Sequence, residues 1–141
     1  MQRIPPDQGF RQLDHTADLA LEFWAPNQEA LLCEGARALI QILTNGRKIE
    51  EDSEGPMVID ALDPDDLLVQ WLNEILYAAT VEGFLFSSAD ITVDRGHLQA
   101  NVRGQSGGRG LLATELKSVT YHDLQLTHHA HGWYAHIVVD V

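Results

Sequence analysis

Two acidic places in the chain have residue types that could hold a cation. The first is Asp14-His15-Thr16-Ala17-Asp18, between two short stretches that alternate apolar residues. The second is Val139-Asp140-Val141, where an apolar run leads into an aspartate and the α-carboxylate of the last residue. Aspartates at a strand junction commonly do no more than shape a turn. Termini usually fray, so a strand that runs straight into Asp140 and Val141 is less ordinary. If that last strand lies antiparallel to Leu19–Ala25, its end sits beside the start of its neighbour. Asp18 and Asp140 then share one sheet rim. Clustered carboxylates repel unless they are protonated, held apart or bridged by a cation. An all-oxygen donor set suits a hard ion, Ca²⁺, Mg²⁺ or Mn²⁺, better than it suits zinc.

Other candidate chemistry is weaker. Gly104-Gln105-Ser106-Gly107-Gly108-Arg109-Gly110 lacks the Gly-Lys-Ser/Thr ending of a phosphate loop, and no helix signal follows it; a mobile loop is expected. His128-His129-Ala130-His131 precedes Gly132 between two strand-like runs and reads as a hairpin tip, able to pick up nickel or zinc adventitiously. His122 falls on a strand, where it packs or donates a hydrogen bond. Cys33 falls within a helix as a small buried hydrophobe. No nucleophile elbow of the serine hydrolases is present.

Several elements must position these residues. Gly9–Leu13 and Leu19–Ala25 read as strands, the second by its period of two. Asn27 caps a helix running to about Thr44, with Leu32, Ala36, Leu39 and Leu43 on one stripe and Glu34, Arg37 and Gln41 opposite. A strand is expected around Met57–Ala61. Asp63-Pro64-Asp65-Asp66 is the strongest helix start in the chain, combining a cap, a proline for the first helical position and acids for the positive helix end. That helix buries Leu68, Trp71, Leu72, Ile75, Leu76 and Ala79 and stops at Gly83. Strands then follow at 84–86, 89–93, 98–102, 117–119, 121–126 and 133–139. The expected class is α+β, a mixed, largely antiparallel sheet with two amphipathic helices packed on it.

The bulk numbers bound the function. The 141 residues, 45% hydrophobic and 21% charged, make a single globular domain over 1–141, with residues 1–8 as a loose polar arm. One cysteine permits no internal disulfide, and neither a membrane span nor a signal peptide is legible, so a cytoplasmic protein is expected. Net charge is −12 with only nine Lys and Arg. A nucleic-acid binder carries a basic stripe, so direct RNA or DNA binding is not expected. An acidic surface suits a cation or a basic protein partner.

Four blocks of the chain, taken together and in order, resemble the archease family: Asp14–Asp18, the helix Leu67–Tyr77, Lys117-Ser118-Val119-Thr120-Tyr121-His122-Asp123, and the Asp140-Val141 end. The resemblance implies an accessory protein of the GTP- and metal-dependent tRNA-splicing RNA ligase. Such a protein promotes guanylylation of the ligase and its repeated turnover, and is not itself an enzyme. It implies that Asp18, Asp140 and Val141 hold the divalent cation and that Lys117 is functional; His15 and His122 lie in the matching blocks. One departure is visible, because the family often carries a longer, more charged insert where this chain has Gly104–Gly110. Two rival readings remain. One is a metal-dependent hydrolase or nucleotidyl enzyme using the same carboxylates, with His15 as the nearest general base. The other is a metal-free chaperone or interaction module.

Overall fold

The computed structural model describes residues 8–13 and 18–141. His15 and all of the expected N-terminal arm except Gln8 lie outside the described residues. In chain order the elements are β1 (Gly9–Leu13), β2 (Leu19–Ala25), α1 (Gln28–Leu43), β3 (Ser53–Asp60), α2 (Pro64–Thr80), β4 (Leu85–Asp94), β5 (His97–Gln105), a 3-10 turn (Arg109–Leu111), β6 (Ser118–His129) and β7 (Gly132–Asp140).

Both helices start where their caps are. The Ala30 amide donates to Asn27 Oδ1 at 2.8 Å, and the Asp66 amide donates to Asp63 Oδ1 at 2.8 Å. Each cap satisfies an amide that has no partner within its own helix. Asn45 and Gly46 end α1 at φ +53° and +78°, and Gly83 leaves α2 at φ +73°.

The α+β architecture is present, with every strand pair antiparallel. The strands divide into a four-stranded sheet, ordered β1-β2-β7-β6, and a three-stranded sheet, ordered β3-β5-β4. Both helices touch both sheets, so the helices form a middle layer and one core runs through all three. That layering explains Glu34. Its position opposite the main α1 stripe predicts exposure, yet it is buried. Arg37 Nη1 at 2.7 Å and Gln8 Nε2 at 2.6 Å donate to its carboxylate. Gly35 lets the layers close, since a Cβ there would lie 2.8 Å from the Phe23 ring and 3.0 Å from Leu72.

Two pairs of expected strands are each one strand. Residues 84–86 and 89–93 mostly fall in β4, which carries an irregularity between Phe86 and Ser88. Most of 117–119 and all of 121–126 fall in β6, whose register shifts between Thr120 and Gln125. A bulge interrupts the alternation of side chains and so looks like a break in sequence. The expected mobile glycine loop is instead well anchored. Gly104 belongs to β5 and Gly108 is buried. The Gly108 amide donates to Gly83 O at 2.7 Å, and Arg109 donates to the carbonyl of Val81. Residues 104–109 thus tie the C-terminal end of α2, which has no basic residue of its own in its last turn, to the three-stranded sheet. No helix among the described residues is long and apolar enough to cross a membrane.

Candidate functional site

The start of β2, the end of β7 and the start of β6 meet at one rim of the four-stranded sheet. The β2–β7 pairing runs to Leu19 opposite Val139. One residue further along stand Asp18 and Asp140, both half-buried. On the other side of β7, Ser118 lies opposite Asp140 and Val119 opposite Val139. The Lys117 amide donates to Asp140 O at 2.8 Å, and the Ser118 hydroxyl donates to Asp140 Oδ2 at 3.4 Å. Lys117 is exposed. The register therefore brings Asp18 and Asp140 to one rim, as the supposed antiparallel pairing would, and β6 adds Lys117 beside them.

Val139 and Ile137 pack into the core, so alternation turns Asp140, Val138 and His136 to the face away from the helices. Further along that face Glu22 is buried yet satisfied. Arg11 pairs with it at 3.1 Å and the Tyr134 hydroxyl donates to it at 2.7 Å. Burial and the Glu22 carboxylate hold the Tyr134 hydroxyl well above the ordinary tyrosine pKa. This network has a structural explanation and leaves no carboxylate free for chemistry.

Val141 is half exposed. With Leu19, Ile42 and Leu116 it borders a cleft of about 390 Å³ that also reaches Asn45 and Gly46 at the end of α1. That end of α1 is the negative pole of the helix and carries no basic residue in its last turn. Among the described residues no three His, Cys, Asp or Glu side chains gather closely enough to hold a metal. At this rim the side chains that could contribute to a cation site are those of Asp18 and Asp140, both oxygen donors. Carboxylate oxygens of this kind suit a hard divalent ion better than a soft one.

His122 stands apart from these carboxylates. It is exposed on the β6 bulge, with Nε2 3.2 Å from Asp123 Oδ2, and Asp123 sits in the left-handed region at φ +54°. Next to it the Tyr121 hydroxyl donates to Asp66 Oδ1 at 2.7 Å. The amide of Leu62 and the hydroxyl of Tyr121 hold the Asp66 carboxyl below the usual carboxylate range. The expected hairpin tip is formed by Ala130 and His131, flanked by His129 opposite Gly132, and His128 stacks on Trp133 at 4.4 Å between ring centres.

Sequence reasoning assigns no role to Ser118, Tyr121 or Asn73. Asn73 lies on α2 beside the buried stripe, and its amide reaches the outer edge of β6. The Val119 amide donates to Asn73 Oδ1 at 2.8 Å, and Asn73 Nδ2 donates to Val119 O at 3.0 Å. Helical periodicity marks Asn73 only as a polar residue at a stripe boundary, so nothing local to the chain could have found this contact.

The model of the Archease protein family matches residues 10–141. Among similar sequences, a protein archease of Methanopyrus kandleri is 33% identical over 138 residues, spanning 94% of this chain and 99% of its own. One from Methanosarcina barkeri is 30% identical over 147 residues, covering 94% and 95%. In three dimensions the chain resembles protein 1598 of Methanobacterium thermoautotrophicum, with a TM-score of 0.76 and 24% identity over 94% of this chain and 99% of that one. It also resembles a Thermotoga maritima protein described as an archease, possible chaperone, with a TM-score of 0.60 and 22% identity over 100% and 98%. At those identities the two structures speak to the fold alone.

Proposed function

The chain belongs to the archease family, and from that premise we propose that it is a non-enzymatic accessory protein that binds a divalent cation and activates a GTP-dependent tRNA-splicing RNA ligase. The ligands are Asp18, Asp140 and the carboxylate of Val141, and the ion is Ca²⁺, Mg²⁺ or Mn²⁺. Lys117 works beside them. The observation that carries the reading is the strand register, Leu19 against Val139 and Ser118 against Asp140, which puts two aspartates and a lysine from distant parts of the chain at one rim. The protein docks its acidic surface on a ligase that is basic because it binds RNA, and the rim acts on the ligase's guanylylation step. A bound divalent ion supplies concentrated positive charge that organises anionic groups. The residues of this chain hold it and present Lys117 next to it.

The deciding experiment measures the ligase's guanylylation rate, and its number of turnovers, with and without this protein. Faster guanylylation and repeated turnover, both lost in Asp140→Ala, are expected. No stimulation by a folded, cation-loaded protein would sink the reading. The same samples, incubated without ligase, are expected to leave nucleotide and RNA intact. Metal-dependent hydrolysis abolished by Asp18→Ala would make this chain an enzyme instead.

A further inference from the structure

The start of β6 is a weakly held piece of strand. It is the outer strand of its sheet, and its regular pairing with β7 covers only Ser118, Val119 and Thr120 before the register shifts. A free strand edge at the end of a chain segment opens easily, because few hydrogen bonds hold it. This short piece and the residue just before it nevertheless supply two hydrogen bonds to Asp140, from the Lys117 amide to its carbonyl and from the Ser118 hydroxyl to its carboxylate.

Asn73 takes the place of a missing neighbour strand. Its side-chain amide both accepts from the Val119 amide and donates to the Val119 carbonyl, at 2.8 and 3.0 Å. Those are the two bonds that another strand would make at that residue. Two residues on, the Tyr121 hydroxyl is fastened to Asp66 on the same helix. α2 therefore grips β6 at Val119, before the register shifts, and at Tyr121, within the irregular stretch, with Trp71 and Leu72 of the same helix buried in the core as its anchor.

We infer that Asn73 is a positioning residue for the rim: it holds Lys117 and Ser118 against Asp140 by pinning Val119 to α2. A residue that orients the groups around a metal ligand commonly alters metal affinity by about tenfold or more when removed. The part of this inference that concerns the cation rests on the rim proposed above.

The test uses the full chain. In Asn73→Ala, residue-resolved hydrogen exchange should show the Val119 and Lys117 amides exchanging at least about tenfold faster, while core amides of β7 keep their protection. Calcium titration should show affinity falling about tenfold. Leu39→Val on α1 serves as the control, a core substitution expected to cost stability while leaving the rim unchanged. Asn73→Asp is the second variant should the alanine chain not fold. It keeps an acceptor for the Val119 amide but turns a carboxylate oxygen on the Val119 carbonyl, so Lys117 should loosen there too. Unchanged Lys117 exchange in a folded Asn73 variant would overturn the clamp. An equal loss of calcium affinity in Leu39→Val would reduce Asn73 to general stability. If instead Asp140→Ala binds calcium as the native chain does, the cation reading fails, and faster Lys117 exchange in Asn73→Ala would still support the clamp.

Discussion

At Asp140 a main-chain carbonyl and a side-chain carboxylate are held by different neighbours. The carbonyl accepts from Lys117 and the carboxylate from Ser118, which leaves lone pairs on the carboxylate for a cation. The rim is most sharply tested at the third ligand. Adding a few residues after Val141 converts its carboxylate to a neutral peptide carbonyl, while Asp18 and Asp140 stay. Calcium or manganese affinity, measured by isothermal titration, should fall about tenfold or more if that ligand contributes at least ~1.4 kcal/mol. Combining the extension with Asp18→Ala should give much less than an additive loss, because both act on one ion. Equal affinity of native and extended chains would remove Val141 from the site. Lys117 is exposed. Lys117→Ala should therefore keep the native thermal midpoint and lower ligase stimulation; full stimulation would return Lys117 to an ordinary strand-edge lysine.

At the scale of elements, α2 does two jobs. Its buried stripe fastens it between the sheets, and its polar flank grips β6. Trp71 is fully buried and donates its indole N–H to Leu32 O at 2.8 Å. Trp71→Ala opens a cavity and leaves that carbonyl without its donor, so chemical denaturation should show a loss of about 3–5 kcal/mol. A loss below about 1 kcal/mol would mean the helix packs otherwise. The Tyr121–Asp66 contact adds a pH signature. The Asp66 carboxyl is held below its ordinary value by the Leu62 amide first and Tyr121 second. A depressed folded pKa contributes stability above the unfolded carboxylate value, roughly pH 4, and loses it as pH falls through the folded value. Tyr121→Phe should therefore be less stable than the native chain at neutral pH. The gap should close as the solution is acidified below that range. A gap independent of pH would show that the hydroxyl stabilises by some route other than the Asp66 charge.

At the scale of the whole molecule, net charge governs association. A chain of −12 is drawn to a basic partner over a distance that salt shortens, because the Debye length falls as ionic strength rises. Raising salt from about 50 to about 200 mM should weaken docking on the ligase several-fold, chiefly through slower association. Stopped-flow association rates at several salt concentrations would show it, and rates independent of salt would remove electrostatic steering from the proposed function. The layered fold suits a docking role. The rim lies at one end of the strands of the four-stranded sheet, built from the start of β2, the start of β6 and the end of β7.

Much of this protein is written locally. The Asn27 and Asp63 caps, the stripe from Leu68 to Ala79 and the period of two in Leu19–Ala25 each depend on neighbours within a turn or a strand. The chain alone therefore specifies two helices and the strands that flank them. Asp18 and Asp140 are legible only as acidic residues beside strand-like runs, and the β2–β7 pairing that brings them together joins residues far apart in sequence. Other features depend on contacts between residues far apart in sequence. The division into two sheets, with helices between them, is decided by which faces find partners. It buries Glu34 against Gln8 and Arg37 where periodicity alone would expose it. The bulges in β4 and β6 break the alternation that marks a strand, and the glycine-rich stretch is ordered by Gly83 and Val81 from the end of α2. The clamp of Asn73 on Val119 joins residues 46 positions apart, through an amide whose partner is backbone. A backbone partner leaves no side-chain signature in a sequence, so only the tertiary structure could show it.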